Sequence, residues 1–444
     1  MEQHPSMLRK VLRGFSVSVV LKVGRLLINL VLMSFLARHI GREGFGHLMA
    51  TMALVAVLLC LVELGCQGIL QRDLVHEEGQ WMTLGSVFFT RLSVGALGYL
   101  GLMVYAWTTP AGQRELLMIF GSLLLTHATT VFGGWLMARH HLESAAWGQF
   151  LGFLASAVAI SAGLLLRAPL WFFAAAYVLE CWVTMIILLG VYRHCGGQFR
   201  SWRWSLPRTV ELLRESWFEL ASQMALLLLF RLDTIMVQAM RGAGDAGIYG
   251  AAVKVSEVLY FLPSILGSAC LSALVSLRRR DLLRYQRRIA EYFALSLVFA
   301  AISAAVLVVA APPVVSMLFG KNFAASAPIL VIHAWAFVPF AIGTARTVYF
   351  TAEGKLWVNL PCVVTAVLLN ALLNWLWIPS HGGIGAAWAT LVAYTVAWVV
   401  SSFALPAARD VPKLAWAGLK RLPTLTSTSL EMLGAQTTAP LGRD

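Results

Sequence analysis

Apolar residues run through this chain in blocks of twenty or more, broken by short clusters of Arg, Lys, Gly, Pro and Asp. The blocks lack the two-residue alternation of a half-exposed strand and the one-sided stripe of a surface helix. A bilayer core of about 30 Å is crossed by roughly 20 helical residues, so blocks of this length predict membrane-spanning helices. Twelve are expected, at 14–37, 46–69, 82–107, 115–137, 146–166, 170–192, 212–239, 247–276, 291–312, 326–350, 357–378 and 384–405. The connections are short except near 193–211, 277–290 and after 406.

Composition agrees. Of 444 residues 59% are hydrophobic and only 12% charged, against roughly 25% charged in soluble proteins, which excludes an ordinary soluble enzyme. The net charge of +13 would fit nucleic acid only if the cations shared a polar face; they sit instead in connections between apolar blocks, so no nucleic-acid partner is expected. Placing the N-terminus inside puts most Lys and Arg on the inner side, led by Arg278, Arg279, Arg280, Arg284, Arg287 and Arg288. That bias predicts a multi-pass protein with both termini cytoplasmic, and the same cluster attracts anionic membrane lipids. Arg9, Lys10 and Arg13 precede an apolar run too long for a signal peptide, so the first helix is read as retained. The six cysteines are scattered without metal or redox spacing and read as small buried hydrophobes.

The connection "RHCGGQFRSWRWSLPR" at 193–208 divides the spans six and six, giving an N-terminal unit at 1–197, a C-terminal unit at 198–405 and a poorly ordered cytoplasmic tail at 406–444. "GREGFGHLMA" at 41–50 is echoed by "GAGDAGIYGAA" at 242–252. Six spans separate the two copies, so they have the same orientation, as in transporters built from parallel repeats.

Charges inside spans carry the functional signal, since each costs about 2.5–3.5 kcal/mol at a helix centre on insertion scales. Lys22, Arg25 and Asn29 fall at i, i+3 and i+7 of the first span, one face of a helix, which is expected to look into a wet cavity. Arg91, Arg231, Lys254 and Arg346 join them as expected cavity cations. Asp233, Glu257 and Glu219 are the acids placed to bind a coupling proton or Na⁺. Lys254 and Glu257, at i, i+3, share a face. The cations outnumber the acids at similar depth, which suits an anionic ligand, and guanidinium matches phosphate oxygens. Asn370 and Asn374 either line the cavity or bond between helices, and His333 and His127 read as core histidines or proton relays. No phosphate loop or hydrolase motif occurs, and no connection on the outer side is large enough for a catalytic domain.

"LARHIGREGFGHLMA", "LVELGCQGILQRD", "RLDTIMVQAMRGAGDAGIYGAAVKVSEV", "AEGK" at 352–355 and "NALLNWLWIPSHGGIGAAWAT" occur in that order along nearly the whole chain. In these segments the sequence resembles the polysaccharide (O-antigen, or Wzx-type) flippases of the multidrug/oligosaccharidyl-lipid/polysaccharide exporter superfamily. The resemblance implies an all-α integral membrane protein with two six-helix lobes around a central cavity. It further implies a non-enzymatic transporter in the bacterial inner membrane that moves a polyprenyl-diphosphate-linked oligosaccharide outward by alternating access. It implies no cofactor, and as partners the polymerase and glycosyltransferases of a polysaccharide pathway. Arg231, Asp233 and Lys254 match the family's motifs; Lys22, Arg25, Arg91 and Arg346 rest on the charge pattern. The alternatives are a drug or small-molecule antiporter of the same superfamily and a membrane glycosyltransferase or polymerase. The related peptidoglycan-precursor flippases usually have fourteen spans, against twelve expected here.

Overall fold

A computed structural model describes residues 4–74, 80–139 and 141–421, with side chains described from Val20 onward except at 111, 142, 261, 262 and 269. The apolar blocks form helices, and no strand occurs among the described residues. In hydrocarbon a helix satisfies its backbone groups within one segment, which an open strand does not. In chain order the helices are α1 (His4–Glu63), α2 (Gln67–Leu74), α3 (Gln80–Ala106), α4 (Ala111–Gly121), α5 (Leu123–Thr126), α6 (Thr130–Ala138), α7 (Leu142–Leu165) and α8 (Leu170–His194). After the central connection come α9 (Leu206–Arg241), α10 (Ala243–Arg280), α11 (Leu282–Phe319), α12 (Ser326–Glu353), α13 (Asn359–Thr395), α14 (Ser401–Ala404) and α15 (Asp410–Arg421).

Ten stretches among the described residues are long and apolar enough to cross a membrane, which makes the chain an all-helical, multi-pass membrane protein. Two of them, Val20–Leu74 and Leu356–Ala404, contain 55 and 49 residues, more than twice what one crossing requires. Each is broken by a glycine with non-helical backbone, Gly41 in α1 (φ 70°, ψ 178°) and Gly382 in α13 (φ 56°, ψ −136°). The expected twelve segments correspond to these ten stretches when each of the two is counted as two crossings.

Three connections differ from expectation. The span 277–290 is not a loop: α10 continues to Arg280, the Asp281 side chain accepts a hydrogen bond from the Arg284 backbone N–H (3.0 Å), and α11 begins at Leu282. Counting apolar residues ends a span where charges begin, but arginine and leucine are good helix formers and the helix continues past the hydrocarbon. The central connection is pinned by aromatic packing. Trp202 donates from Nε1 to the Tyr192 hydroxyl (2.9 Å) and packs against Phe88, Phe132 and Phe199. The third difference is in the expected tail: α15 packs on α11 with Val411 and Gly418 buried, and a Cβ on Gly418 would lie 2.0 Å from the Ala290 carbonyl oxygen. Residues 422–444 lie outside the described residues.

The two halves meet through a matched pair of glycines. Gly41 and Gly242 take the same left-handed, extended conformation (φ 70° and 87°, ψ near 180°), and five residues after each comes Gly46 or Gly247. A Cβ on Gly46 would meet the Ala243 carbonyl oxygen at 1.8 Å, and one on Gly247 would meet the Arg42 carbonyl oxygen at 1.9 Å. The contact is reciprocal, so the sequence echo is also an echo in space. Around it Arg38 donates to the carbonyls of Leu318 (2.9 Å) and Met317, and Phe45 packs edge-on against Phe323 with centroids 5.9 Å apart. At the opposite end, which carries the α10–α11 arginines, α2 and α9 are tied by the ion pairs Arg72–Glu215 (2.8 Å) and Arg208–Asp73.

Candidate functional site

Between these two contact layers, pockets lie on either side of the first part of α1. On one side, Arg25 and Asn29 line a cavity of about 270 Å³ together with Phe153, Tyr177 and Glu180 of α7 and α8. Arg25 forms an ion pair with Glu180 and stands 5.4 Å from the centroid of the Phe153 ring. Lys22, one helical turn earlier, lines a smaller pocket with Arg25, Gln149 and Phe150, is exposed, and has no ion-pair or hydrogen-bond partner among the described residues. The expected shared face of Lys22, Arg25 and Asn29 is thus directed at pockets.

On the other side of α1, Leu26 faces a cavity of about 310 Å³ whose remaining wall comes from α9, α10, α12 and α13. Glu257 bridges two cations there, accepting from Arg231 at 2.5 Å and Lys254 at 3.2 Å. The Lys254–Glu257 pairing follows from their i, i+3 spacing, and Arg231 joins from the neighbouring helix. Such a triad is net positive by one charge, and its members are a fifth to a quarter exposed, so water or a ligand reaches them.

Deeper in the same wall is a network that the intramembrane charge count did not contain. Asp233 is 3% exposed and accepts hydrogen bonds from Tyr249 Oη (2.8 Å), Asn374 Nδ2 (2.6 Å) and Thr390 Oγ1. Tyr249 Oη also contacts His333 Nε2 at 3.0 Å, and Asn370 Oδ1 accepts from Asn374 Nδ2 at 3.0 Å. Every hydrogen-bond partner of Asp233 among the described residues is neutral. Of this network the sequence singled out Asp233, the two asparagines and His333 separately. Tyr249 and Thr390 had no signal, because an aromatic or a threonine in an apolar helix is ordinary.

Two expected cavity cations are elsewhere. Arg91 is fully buried: Nη1 donates to Thr130 Oγ1 (2.8 Å) and Nη2 to the Glu63 carbonyl (3.0 Å). Glu63 ends α1, followed by Leu64 and Gly65 with φ of 61° and 63°, so the guanidinium caps a helix C-terminus, where carbonyls lack intrahelical donors. Arg346, also fully buried, donates from Nη1 to the Ala397 carbonyl (3.2 Å) and to the hydroxyls of Ser401 (2.5 Å) and Ser402 (3.1 Å). Those acceptors lie within and just after the wide turn Val396–Val400, whose loosened backbone leaves carbonyls for a side chain to satisfy. Both arginines are structural. Glu219 is likewise away from these pockets: it is exposed on α9 and, among the described residues, accepts from Gln223 Nε2 (2.8 Å). A sequence does not tell a cavity from a helix terminus or a widened turn, and those are what Arg91 and Arg346 satisfy.

Comparison with known proteins decides the family. Residues 11–275 match the family described as polysaccharide biosynthesis protein. The chain belongs to that family. This polysaccharide biosynthesis protein is 26% identical over 257 residues to the succinoglycan biosynthesis transport protein ExoT of Rhizobium meliloti (strain 1021), covering 56% of this chain and 50% of that one. It therefore spans about half the length of the curated relative it matches. Among solved structures it is similar to the lipid II flippase MurJ in an inward closed conformation, with TM-score 0.69 and 12% identity over 96% of this chain and 93% of that one. It is also similar to an inward-facing multidrug resistance MATE transporter of the MOP superfamily, with TM-score 0.67 and 13% identity over 88% and 95%. At those identities the likeness is one of fold. The family member thus has the exporter fold that its sequence motifs imply.

Proposed function

We propose that this protein moves a polyprenyl-diphosphate-linked oligosaccharide across the bacterial cytoplasmic membrane by alternating access between two six-helix units, 1–197 and 198–405. The end bearing the α10–α11 arginines and both termini face the cytoplasm, as the distribution of Lys and Arg supports. One observation carries the reading: Lys22 and Arg25 line pockets beside α1, Glu257 in the wall of the other cavity holds Arg231 and Lys254, and the three cations that are paired are held by carboxylates of the chain itself, Glu180 and Glu257. A diphosphate offers the same oxygen chemistry as those carboxylates and takes their place on the guanidinium and ammonium groups. The sugar then crosses in the wet cavity while the prenyl chain stays in lipid. In this reading the glycosyltransferases that build the lipid-linked unit and the polymerase that consumes it are the pathway partners.

The sequence has no nucleotide-binding loop, so direction comes from an ion gradient, the membrane potential or removal of product. Asp233 is the coupling carboxylate of this proposal, with Glu257 released to bind a proton or Na⁺ when diphosphate takes Arg231 and Lys254. A drug antiporter of organic cations fits less well, because the pockets beside α1 on the N-terminal side are lined by the cations Lys22 and Arg25.

Complementation of a flippase-null strain and reconstitution with labelled lipid-linked sugar test the proposal together. Unchanged lipid on the opposite leaflet is expected, whereas new glycosidic bonds would make the protein an enzyme. The Arg25→Ala, Arg231→Ala double variant should reach the membrane at normal levels and not complement; full activity of that variant refutes the assignment. Glu257→Gln protein that still responds normally to imposed pH, Na⁺ and voltage gradients removes Glu257 from the coupling step.

A further inference from the structure

The short helix α15 has two unlike faces. Val411 and Gly418 are buried on one of them. On the other, Arg409, just before the helix, Lys413, Trp416 and Lys420 recur at i, i+4, i+7 and i+11, one line along a helix, and all four are exposed. Trp416 is 62% exposed, and the Lys420 ammonium stands 5.4 Å from the centroid of its ring. An indole this open beside a lysine is the pairing of a membrane–water boundary, where the ring meets lipid and the ammonium meets headgroups.

The packing of α15 puts this face at such a boundary. In α11 the charged residues Arg287, Arg288 and Glu291 are followed by a stretch without charge from Tyr292 to Phe319, so Ala290 and Ala294 bracket the passage from headgroups into hydrocarbon. Gly418 packs on both: a Cβ there would lie 2.0 Å from the Ala290 carbonyl oxygen and 2.9 Å from the Ala294 Cβ. Val411, two turns earlier, belongs to a buried cluster with Tyr285, farther out along α11. The helix therefore lies along the outer turns of α11 with its Trp416–Lys420 end at headgroup level.

Charge decides what meets the exposed face. Arg409, Lys413 and Lys420 stand against one acid, Asp410, which pairs with Lys413 at 3.3 Å; three cations less one anion leave a surplus of two. The acids of the adjoining helices do not offset it, because Glu291 is held by Arg287 and Arg288 and Glu353 by Arg278.

We propose that the Arg409–Lys413–Trp416–Lys420 face of α15 docks on anionic phospholipid headgroups of the leaflet on the arginine-bearing side, with the indole seated at the headgroup boundary. Each basic residue near an anionic leaflet is worth about a fivefold gain in binding, so a surplus of two gives about 25-fold. The lipid then holds α15 against α11 and ties the C-terminal half to the bilayer surface.

Hydrogen exchange across 410–421 of the full-length protein tests this, in nanodiscs of phosphatidylcholine alone and of equal parts phosphatidylcholine and phosphatidylglycerol. Exchange should be about 25-fold slower in the anionic discs at low salt, and high salt should erase the difference. Lys413→Gln with Lys420→Gln cancels the surplus and should abolish the slowing, whereas Asp410→Asn should enlarge it about fivefold. Each variant is read as the ratio of its own rates in the two discs, so a loss of helix stability common to both drops out. Equal rates for the unmodified protein in the two discs overturn the proposal. A slowing that survives the double lysine substitution assigns the lipid to the α10–α11 arginines and overturns it as well. Inorganic phosphate that reproduces the slowing in phosphatidylcholine discs makes the face a site for free anions, and that too overturns the docking on lipid.

Discussion

Alanine at Gly46 puts a methyl group where there is no room. The added Cβ would lie 1.8 Å from the Ala243 carbonyl oxygen and 2.8 Å from the Gly247 nitrogen, whereas real Cβ contacts essentially never fall below 3.0 Å, so α1 and α10 must part by at least about 1.2 Å. Both neighbouring atoms are backbone, so no side-chain rotation relieves the clash. Forcing an extra carbon into a packed contact costs about 1–3 kcal/mol, a factor of roughly 5 to 150 against the conformation in which these helices touch. Because the contact is reciprocal, Gly247→Ala should have an effect of the same size; its Cβ falls 1.9 Å from the Arg42 carbonyl oxygen. Gly101→Ala, with nothing within 4 Å, is the control and should be neutral. Spin labels at Glu43 and Lys321, both exposed at this end, report the separation in a background without native cysteines. The two alanine variants should shift the distance distribution to longer values, singly and alike. An unchanged distribution together with an unchanged melting temperature in Gly46→Ala refutes the idea that this contact holds the halves together.

Other consequences are checked more simply. Arg91→Ala and Arg346→Ala each strand buried carbonyls and hydroxyls and should lower thermal stability by about 1–3 kcal/mol, read by unfolding in detergent, with ligand affinity of the folded fraction unchanged. Asp233→Leu leaves Tyr249, Asn374 and Thr390 without their acceptor and should destabilise more than Asp233→Asn in the same assay. Gly418→Val should detach α15 from α11, seen as faster hydrogen exchange across 410–421 with the transmembrane helices still protected.

The apolar blocks reveal the fold because hydrocarbon leaves the backbone few options, and twenty apolar residues in a row have no soluble use. The glycine echo was also legible, since residues five apart with the same turn recur about 200 residues later. The site was only partly so. Lys22 and Arg25 line pockets, and Arg231 and Lys254 are held by Glu257, which lines another. Arg91 and Arg346 looked the same in sequence, yet they satisfy a helix end and a widened turn, features set by backbone geometry that a single sequence does not encode locally. The Asp233 network joins residues 141 and 157 positions apart in the chain. Nothing in the pattern of any one helix announces its neighbours.

The α10–α11 hairpin has an electrostatic consequence. Each helix has 38 residues, about 57 Å at 1.5 Å per residue, against about 30 Å of hydrocarbon. Since α11 stays apolar up to Phe319 at its other end, most of the excess lies at the arginine-bearing tip. Allowing about 5–7 Å for headgroups, the tip stands on the order of 15–20 Å past them, about two screening lengths at physiological salt. Arg279 and Arg280, which have no partner among the described residues, are therefore nearly invisible to an anionic leaflet once the protein has folded. Arg287 and Arg288 lie one to two turns closer to the bilayer and are both tied to Glu291 at 3.0 Å. Whatever orienting pull the outer arginines exert has to act during insertion, before the two helices zip together and carry their charge out into the water.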